Sequence, residues 1–300
     1  MKLNLVSAMY FLLPITSSYA LDKLGSHNNP LKIAIVPSSQ AIQALDSAKP
    51  VAKCIEQKSK IFITLQIPNS YIAVVEAMGA QKVDLAFGDI VSFIIARNKF
   101  GAEPLLQTVR YGMRSYQSAI FVKSNSPIKT VKDLNGKKFA YSDASSASSY
   151  IYPSILMKNT NAKFAQEVAT GSMDASIIAL MQGQVDAAAA YYNAPDKDSG
   201  KILDARSRVE KIYPNIYKET KILWLSKPIP NEPVYVRKGL SNDLKVKLAP
   251  AIAQCAKEFP NAINNIQELL PVNKKNNEYD DFINEIVKSG LNISSIFNKN

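Results

Sequence analysis

The chain carries one pattern of apolar and polar residues twice, about one hundred residues apart. Residues 74–87 read VVEAMGAQKVDLAF, and residues 177–190 read IIALMQGQVDAAAA. Each pattern predicts an apolar helix that ends near a glycine, followed by a polar turn, Val-Asp and a short buried strand. A repeat at this spacing is too long for a solenoid, so it predicts two similar lobes with a cleft between them.

Predicted strands and helices alternate around the first copy of this pattern. The alternation predicts an α/β fold in which each lobe is a mostly parallel sheet flanked by helices. Ser70 is expected to cap the first repeated helix, and a single helix is expected within 195–220. The predicted strands are 31–36, 61–66, 105–109 and 118–123, and the other predicted helices are 42–57, 90–99, 242–259 and 280–288.

Two extended segments are expected to cross between the lobes. The first is the strand at 118–123, and the second is 221–236, whose three prolines exclude a helix but allow an edge or hinge strand. We therefore expect residues 21–122 and 228–300 to form one lobe and residues 123–227 to form the other.

The first twenty residues (1–20) predict a cleaved signal peptide. Lys2 is followed by an apolar stretch at 3–15, and residues 18–20 place Ser-Tyr-Ala before a mature start near Leu21. The apolar stretch is shorter than the roughly 20 residues of a membrane span; an uncleaved N-terminal anchor helix remains the alternative. No cysteine stands at the cleavage site, so we expect a periplasmic protein without a lipid anchor.

Composition narrows the classes of function. Hydrophobic content of 47% and charged content of 20% are typical of a globular chain. The net charge of +11 comes from scattered lysines, so no nucleic-acid partner is expected. With one histidine and two cysteines, the chain offers almost nothing for a metal site or a Cys/His nucleophile, and no cofactor is expected. Cys54 and Cys255 lie on separate predicted helices; a disulfide and two buried thiols both remain open.

The segment at 139–150, FAYSDASSASSY, carries the sharpest candidate site. A short strand runs into five serines that open a helix. Serine hydroxyls and free backbone N–H groups at a helix start, with the positive end of the helix dipole behind them, suit an oxyanion. A helix that is simply well capped by serine is the alternative.

A second helix start and two tyrosines add candidates. Ser172 is a fair N-cap for the helix that follows, and Gly171 permits close approach of a ligand or of another backbone. Tyr71 and Tyr116 each lie near the end of an element, where a phenol can stack or hydrogen-bond in a cleft. Capping without a ligand, and plain packing of the tyrosines, are the alternatives.

Six segments of the chain, taken in order and spacing, carry a resemblance to a known family. The segments are IAIVPSSQ, SYIAVVEAMGAQKVDLAF, GAEPLLQ, YQSAIFVKSNSPIKTVKDLNGKKFAYSDASSASSYIYP, ATGSMDASIIALMQGQVDAAA and KPIPNEPVYVRKGL. Together they resemble the periplasmic phosphonate, phosphite and phosphate binding proteins of ABC importers. The resemblance covers nearly the whole mature chain and implies the two-lobed type 2 periplasmic binding protein fold, with the ligand cleft between the lobes.

The resemblance also implies a set of ligand residues. Two matches depart from the family pattern: Ala147 replaces the threonine of Ser-Thr-Ser, and Met173 replaces the histidine of Gly-Ser-His. Each hydrogen bond lost to a charged ligand weakens binding by about 1.5 to 3 kcal/mol. A less charged, larger or more apolar ligand then becomes credible. The implied residues are Tyr71, Tyr116, Ser146, Ala147, Ser148, Met173 and Glu232.

The function implied is that of a monomeric solute-binding protein that captures a small oxyanion and delivers it to an inner-membrane ABC permease. A ligand sensor or a carrier of another small solute, built on the same fold, stays open. An exported serine hydrolase is disfavoured because Gly-x-Ser-x-Gly is absent and the only histidine is His27. Glu232 in an anion cleft implies a zwitterion such as 2-aminoethylphosphonate, and an exposed glutamate beside Pro233 is the alternative.

Overall fold

The structure is a computed structural model that describes residues 22–35, 41–68, 70–260, 262–263, 266, 268–272 and 278–291. Within these ranges, the side chains of 41–44 and of Tyr71 are not described. The predicted signal peptide at 1–20 lies outside the described residues. Among the described helices, none combines the length and apolar character that crossing a bilayer requires.

Strands and helices alternate along the described chain. The strands are β1 Leu31–Ile35, β2 Ile63–Gln66, β3 Leu85–Phe87, β4 Glu103–Val109, β5 Ser115–Lys123, β6 Lys138–Tyr141, β7 Gln166–Ala169, β8 Ala187–Tyr192, β9 Thr220–Leu225, β10 Ile229–Pro230, β11 Pro233–Val236 and β12 Glu268–Pro271. The helices are α1 Ala41–Ser59, α2 Tyr71–Gly79, α3 Ile90–Phe100, α4 Tyr152–Asn159, α5 Met173–Met181, α6 Ile216–Glu219, α7 Asn242–Glu258 and α8 Glu278–Ser289.

These strands form two six-stranded sheets. The first has the order β12-β4-β11-β3-β1-β2, and the second has the order β10-β5-β8-β6-β7 with β9 paired to β5. In the first sheet β1 pairs in parallel with β2 and β3, and in the second β6 pairs in parallel with β7 and β8. The remaining pairings are antiparallel. Each sheet is therefore mixed rather than mostly parallel, because strands β5 and β11, which follow the crossings, enter their new sheets in the opposite direction.

The predicted duplication is confirmed in the strand pairing. The central parallel strands of the first sheet, β2-β1-β3, match β7-β6-β8 of the second. Ser70 and Ser172 each cap the repeated helix by accepting the backbone N–H three residues on. Asp84 accepts the N–H of Lys32 at 2.9 Å, and Asp186 accepts the N–H of Lys138 at 2.8 Å. In both lobes the Val-Asp carboxylate thus fixes the start of the neighbouring central strand.

The chain passes between the sheets at two places. It leaves the first sheet after β4 and enters the second at β5, through residues 110–114; it returns between β10 and β11, through residues 231–232. The predicted residue limits of the two lobes stay a prediction, but one strand lies in a different sheet from the one those limits imply. The strand expected to close the first lobe, 118–123, is part of β5 and pairs with β8 in the second sheet.

The C-terminal helix α8 packs where the two lobes meet. Tyr279, Phe282 and Ile286 are buried and recur at the spacing of one helix face. The ring of Phe282 stacks on Tyr152 of α4 at 5.8 Å between centroids, and the Tyr152 hydroxyl donates to Glu285 at 2.9 Å. Of the helix expected within 195–220, the structure has only a 3-10 turn at Ala205–Arg208 and the short α6.

A disulfide joins α1 to α7. Cys54 and Cys255 are bonded, with their Cα atoms 5.9 Å apart, and both are buried against the first sheet. The alternative of two free thiols, left open by the sequence, does not occur. The bridge ties the beginning of the first lobe to the part of that lobe supplied by the end of the chain.

Replacing both cysteines, Cys54→Ser with Cys255→Ser, should lower the free energy of unfolding by about 2 to 5 kcal/mol, because the unfolded chain regains the freedom of a long closed loop. Urea unfolding followed by circular dichroism measures this. Reductant should shift the wild type by a similar amount and leave the double variant unchanged. Equal stability of the wild type with and without reductant would contradict the prediction.

Candidate ligand-binding site

The serine-rich segment after β6 opens a helix through one turn of π-helix. Residues 147–151 form this turn and lead into α4. Ser146 is its N-cap, because the Oγ of Ser146 accepts the backbone N–H of Ser149 at 3.1 Å. The hydroxyls of Ser142 and Ser149 form a hydrogen bond with each other at 2.6 Å. These three serines therefore hold the loop and the helix start in place.

Ser148 differs from its neighbours because its hydroxyl is not used by the loop. The residue is 1% exposed, and its backbone carbonyl accepts the hydroxyl of Ser118 at 2.5 Å. Its own Oγ is buried without a hydrogen bond of ordinary geometry to any described residue. Buried hydroxyls are normally paired. The Ser148 hydroxyl at the helix start departs from this rule among the described residues.

Tyr116 lies on β5 next to Ser148, partly buried at the junction of the lobes. Burial raises the pKa of its phenol well above the usual range. The negative charges of Glu232 and Asp89 raise this pKa further, whereas Arg110 and the Ser148 hydroxyl lower it. The phenol is therefore protonated at neutral pH and can donate a hydrogen bond.

Arg110 and Glu232 form an ion pair between the two crossing segments. Nη1 of Arg110 donates to Oε2 of Glu232 at 2.7 Å, and Nη2 donates to Oε1. Burial lowers the pKa of the Arg110 guanidinium, but the attraction of Glu232 outweighs it, and the pKa lies above its ordinary value. About a quarter of each side chain is exposed. Glu232 is thus neither the free carboxylate of a cleft nor the exposed surface glutamate that the sequence left as alternatives.

Asp89 follows β3 and caps α3. Its Oδ1 accepts the backbone N–H groups of Val91 at 2.7 Å and of Ser92 at 2.9 Å. Its Oδ2 is buried and has no hydrogen bond to a described residue. Burial raises the pKa of this carboxyl from 3.8 to about 6, against the lowering effect of the hydrogen bonds from Ser92 and Val91.

The start of α5 lies beside the serine loop. The N–H of Gly171 donates to the carbonyl of Ser142 at 2.9 Å, and Gly171 has the positive φ of 79° that favours glycine. Ser172 then caps α5, and Met173 is its first residue, partly buried against the core of the second lobe. The Gly-Ser-Met segment therefore begins beside Ser142, the residue that follows β6 and precedes the serine-rich helix start.

The sequence of the chain matches a family model over residues 33–274. That model describes the ABC transporter phosphonate periplasmic substrate-binding protein. The chain belongs to this family. It is a phosphonate-type substrate-binding component of an ABC transporter, and its two sheets have the type 2 binding-protein arrangement.

Individual relatives agree with the family. The phosphonates-binding periplasmic protein of Escherichia coli K12 is 26% identical over 250 residues, which cover 79% of this chain and 71% of that protein. The phosphate-import protein PhnD of Mycolicibacterium smegmatis is 27% identical over 181 residues, 56% of each chain. Among solved structures, PhnD1 of Prochlorococcus marinus in complex with methylphosphonate superposes with a TM-score of 0.63 at 16% identity, covering 87% of this chain and 98% of that one.

The residues implied by the family pattern are brought together to different degrees. Glu232 and the Ser148 hydroxyl both act on the phenol of Tyr116. Ser146 and Ala147 adjoin Ser148 along the chain, and Met173 follows the segment that bonds to the serine loop. Tyr71 begins α2, but its side chain is not described.

Two charged groups near Tyr116 were missed by sequence reasoning. The pattern Asp-Ile-Val-Ser after a short apolar strand is a helix-cap signal that identifies Asp89 as a cap, but it does not reveal an unpaired oxygen. Arg110 carries no comparable local signal, because its partner Glu232 is more than a hundred residues away.

Asp89→Asn should change how stability depends on pH. Because the folded pKa of Asp89 is raised, its contribution to stability is fully present below pH 4 and is lost as pH rises through about 6. Asparagine keeps the cap and does not titrate. Relative to the wild type, the ligand-free variant should therefore gain stability between about pH 4 and pH 6. Chemical unfolding at several pH values measures the difference, and a constant difference across this range would contradict the prediction.

Proposed function

We propose that this protein captures a small oxyanion of the phosphonate, phosphate or phosphite type in the cleft between its lobes and delivers it to an inner-membrane ABC permease. It carries out no chemistry on the ligand. The observation that carries the proposal is the buried Ser148 hydroxyl at a helix start, which makes no hydrogen bond of ordinary geometry to a described residue and interacts with the protonated phenol of Tyr116 beside it. Hydrogen-bond donors at a helix N-terminus are the chemistry that binds such anions.

The proposed ligand contacts divide between the two lobes. The second lobe supplies the Ser148 hydroxyl and the free backbone N–H groups of the helix that begins at Ser146 and Ala147. Met173 lies beside these donors and lines the binding site. Glu232 contributes through its ion pair with Arg110, which keeps a guanidinium near the phenol of Tyr116. Tyr71, at the start of a first-lobe helix, completes the set that the family pattern implies.

The proposed ligand class agrees with what the relatives bind. The relative from Escherichia coli binds phosphonates, the relative from Mycolicibacterium smegmatis imports phosphate, and the structure from Prochlorococcus marinus holds methylphosphonate. Ala147 and Met173 replace two donors of the family pattern, so we expect a substituted phosphonate rather than inorganic phosphate to bind best. The apolar side chains then face the organic part of the ligand.

The proposed cellular setting follows from the N-terminal sequence and from the family. Residues 1–20 are proposed to direct export and to be cleaved, which leaves a periplasmic monomer without a lipid anchor. The partner is the permease of the same transporter. Electrophoresis and mass spectrometry of the exported protein would identify the mature N-terminus.

Ser148→Ala should weaken binding of methylphosphonate about tenfold or more, since a hydrogen bond to a charged ligand contributes about 1.5 to 3 kcal/mol. The ligand-free variant should be about as stable as the wild type, because the change removes a buried hydroxyl that makes no hydrogen bond of ordinary geometry to a described residue. Isothermal titration calorimetry and thermal unfolding measure the two effects.

Ser145→Ala provides the matched control, because the Ser145 hydroxyl lies in the same loop but bonds to Asp143. This control should bind methylphosphonate as the wild type does. Wild-type affinity in Ser148→Ala would place the anion elsewhere. Failure of the wild type to bind any phosphonate, phosphate or phosphite would overturn the proposed function itself.

A further inference from the structure

Asp89 has a carboxylate oxygen that no described group satisfies. Oδ1 of Asp89 accepts hydrogen bonds from two backbone N–H groups at the start of α3, whereas Oδ2 is buried and accepts no hydrogen bond from a described residue. Leaving a buried acceptor unpaired costs free energy, and the cost is larger for a charged group. A ligand that donates a hydrogen bond to Oδ2 would satisfy this buried acceptor and would explain why the protein leaves it unpaired.

Asp89 and Ser148 are linked through one apolar cluster and through the phenol of Tyr116. One apolar cluster contains Ile90 and Val91, which follow Asp89, together with Ala147, which precedes Ser148. Tyr116 packs against the same cluster, and its phenol is affected by both Asp89 and Ser148. Two buried oxygens that lack an ordinary hydrogen bond to a described residue, one from each lobe, therefore both act on one phenol. Ser148 is a residue with 1% exposure, and its hydroxyl is a second sign of a ligand at this position.

Glu232 is less suited than Asp89 to accept a hydrogen bond from a ligand. Both carboxylate oxygens of Glu232 accept hydrogen bonds from the guanidinium of Arg110. The positive charge of Arg110 therefore compensates the negative charge of Glu232. Asp89 has no such counter-ion among the described residues that affect it. Of the two carboxylates that act on Tyr116, Asp89 is thus the one whose charge is not compensated.

We propose that Asp89 is a ligand-binding residue that accepts a hydrogen bond from a proton-bearing group of the anion. This rests on the proposed function. The proton comes from one of two sources with the same chemistry: the ammonium of an aminoalkylphosphonate, or the remaining P–OH of a singly ionised phosphonate. A fully ionised anion without either group meets an ionised carboxylate and is repelled. Asp89 thereby selects for the protonation state of the ligand.

Asp89→Asn tests the proposal in the full-length mature protein. Asparagine preserves the shape and the cap but presents an NH₂ donor where Oδ2 was. Calorimetry compares 2-aminoethylphosphonate with ethylphosphonate, each at a pH below and a pH above the second ionisation of the phosphonate. If the ammonium is the donor, the variant loses affinity for the amino compound at least tenfold at both pH values. If P–OH is the donor, the variant loses tenfold for ethylphosphonate at the lower pH only.

Glu232→Gln is the matched comparison, because it makes the same change at the neighbouring carboxylate. It alters the charge beside Arg110, so it should shift the affinities for both ligands together and preserve their ratio and its pH dependence. The proposal is overturned if Asp89→Asn binds both ligands as the wild type does. It is equally overturned if Glu232→Gln alone abolishes the preference for the proton-bearing ligand.

The outcomes for Asp89 and for the proposed function are separable. Thermal unfolding of each variant without ligand establishes that it is folded before binding is compared. If the wild type and Asp89→Asn bind phosphonates equally well, only the proposed role of Asp89 is wrong. If the wild type binds no phosphonate, both the role of Asp89 and the proposed function are wrong.

Discussion

Asn231 holds the two crossing segments side by side. Its Nδ2 donates to the carbonyls of Thr108 at 3.1 Å and of Met113 at 2.9 Å, and its backbone N–H donates to the carbonyl of Arg114 at 2.8 Å. The residue is 2% exposed, so these bonds form away from water, where an unpaired partner is costly. These bonds fix the two connections between the sheets to each other.

The hydrogen bonds of Asn231 also position the charged groups of the candidate site. Arg110 and Glu232 belong to the two crossing segments, and Tyr116 is the second residue of β5, the strand that follows the first of them. The ion pair joins the two crossing segments, whereas Ser148 and Asp89 belong to separate lobes.

The sequence was sufficient for features that depend on neighbours along the chain. Ser70 and Ser172 cap their helices as predicted, and the two Val-Asp strands occupy equivalent places in their sheets. The serine segment does open a helix, with Ser146 as its cap. Apolar periodicity and capping are local, so the pattern of residue types is enough to predict them.

Features that depend on tertiary contacts could not be predicted from the sequence. Alternation in β5 predicts a strand but not the sheet that it joins, because the antiparallel partner β8 lies some seventy residues further on. The pairing of Arg110 with Glu232 joins segments that only the return of the chain brings together. The raised pKa of Asp89 arises from burial by the surrounding fold, which a residue type does not encode.

The Cys54–Cys255 bridge has a consequence for the order in which the molecule is assembled. The strands of the second sheet come from one continuous stretch, 115–230, whereas the first sheet needs both ends of the chain. As the chain is synthesised from its N-terminus, residues 115–230 are made before Cys255, the partner of Cys54. With two cysteines in the whole chain, no incorrect intramolecular bridge can form. The competing oxidation partner is a thiol on another molecule, so the yield of correctly bridged protein depends on protein concentration rather than on disulfide reshuffling.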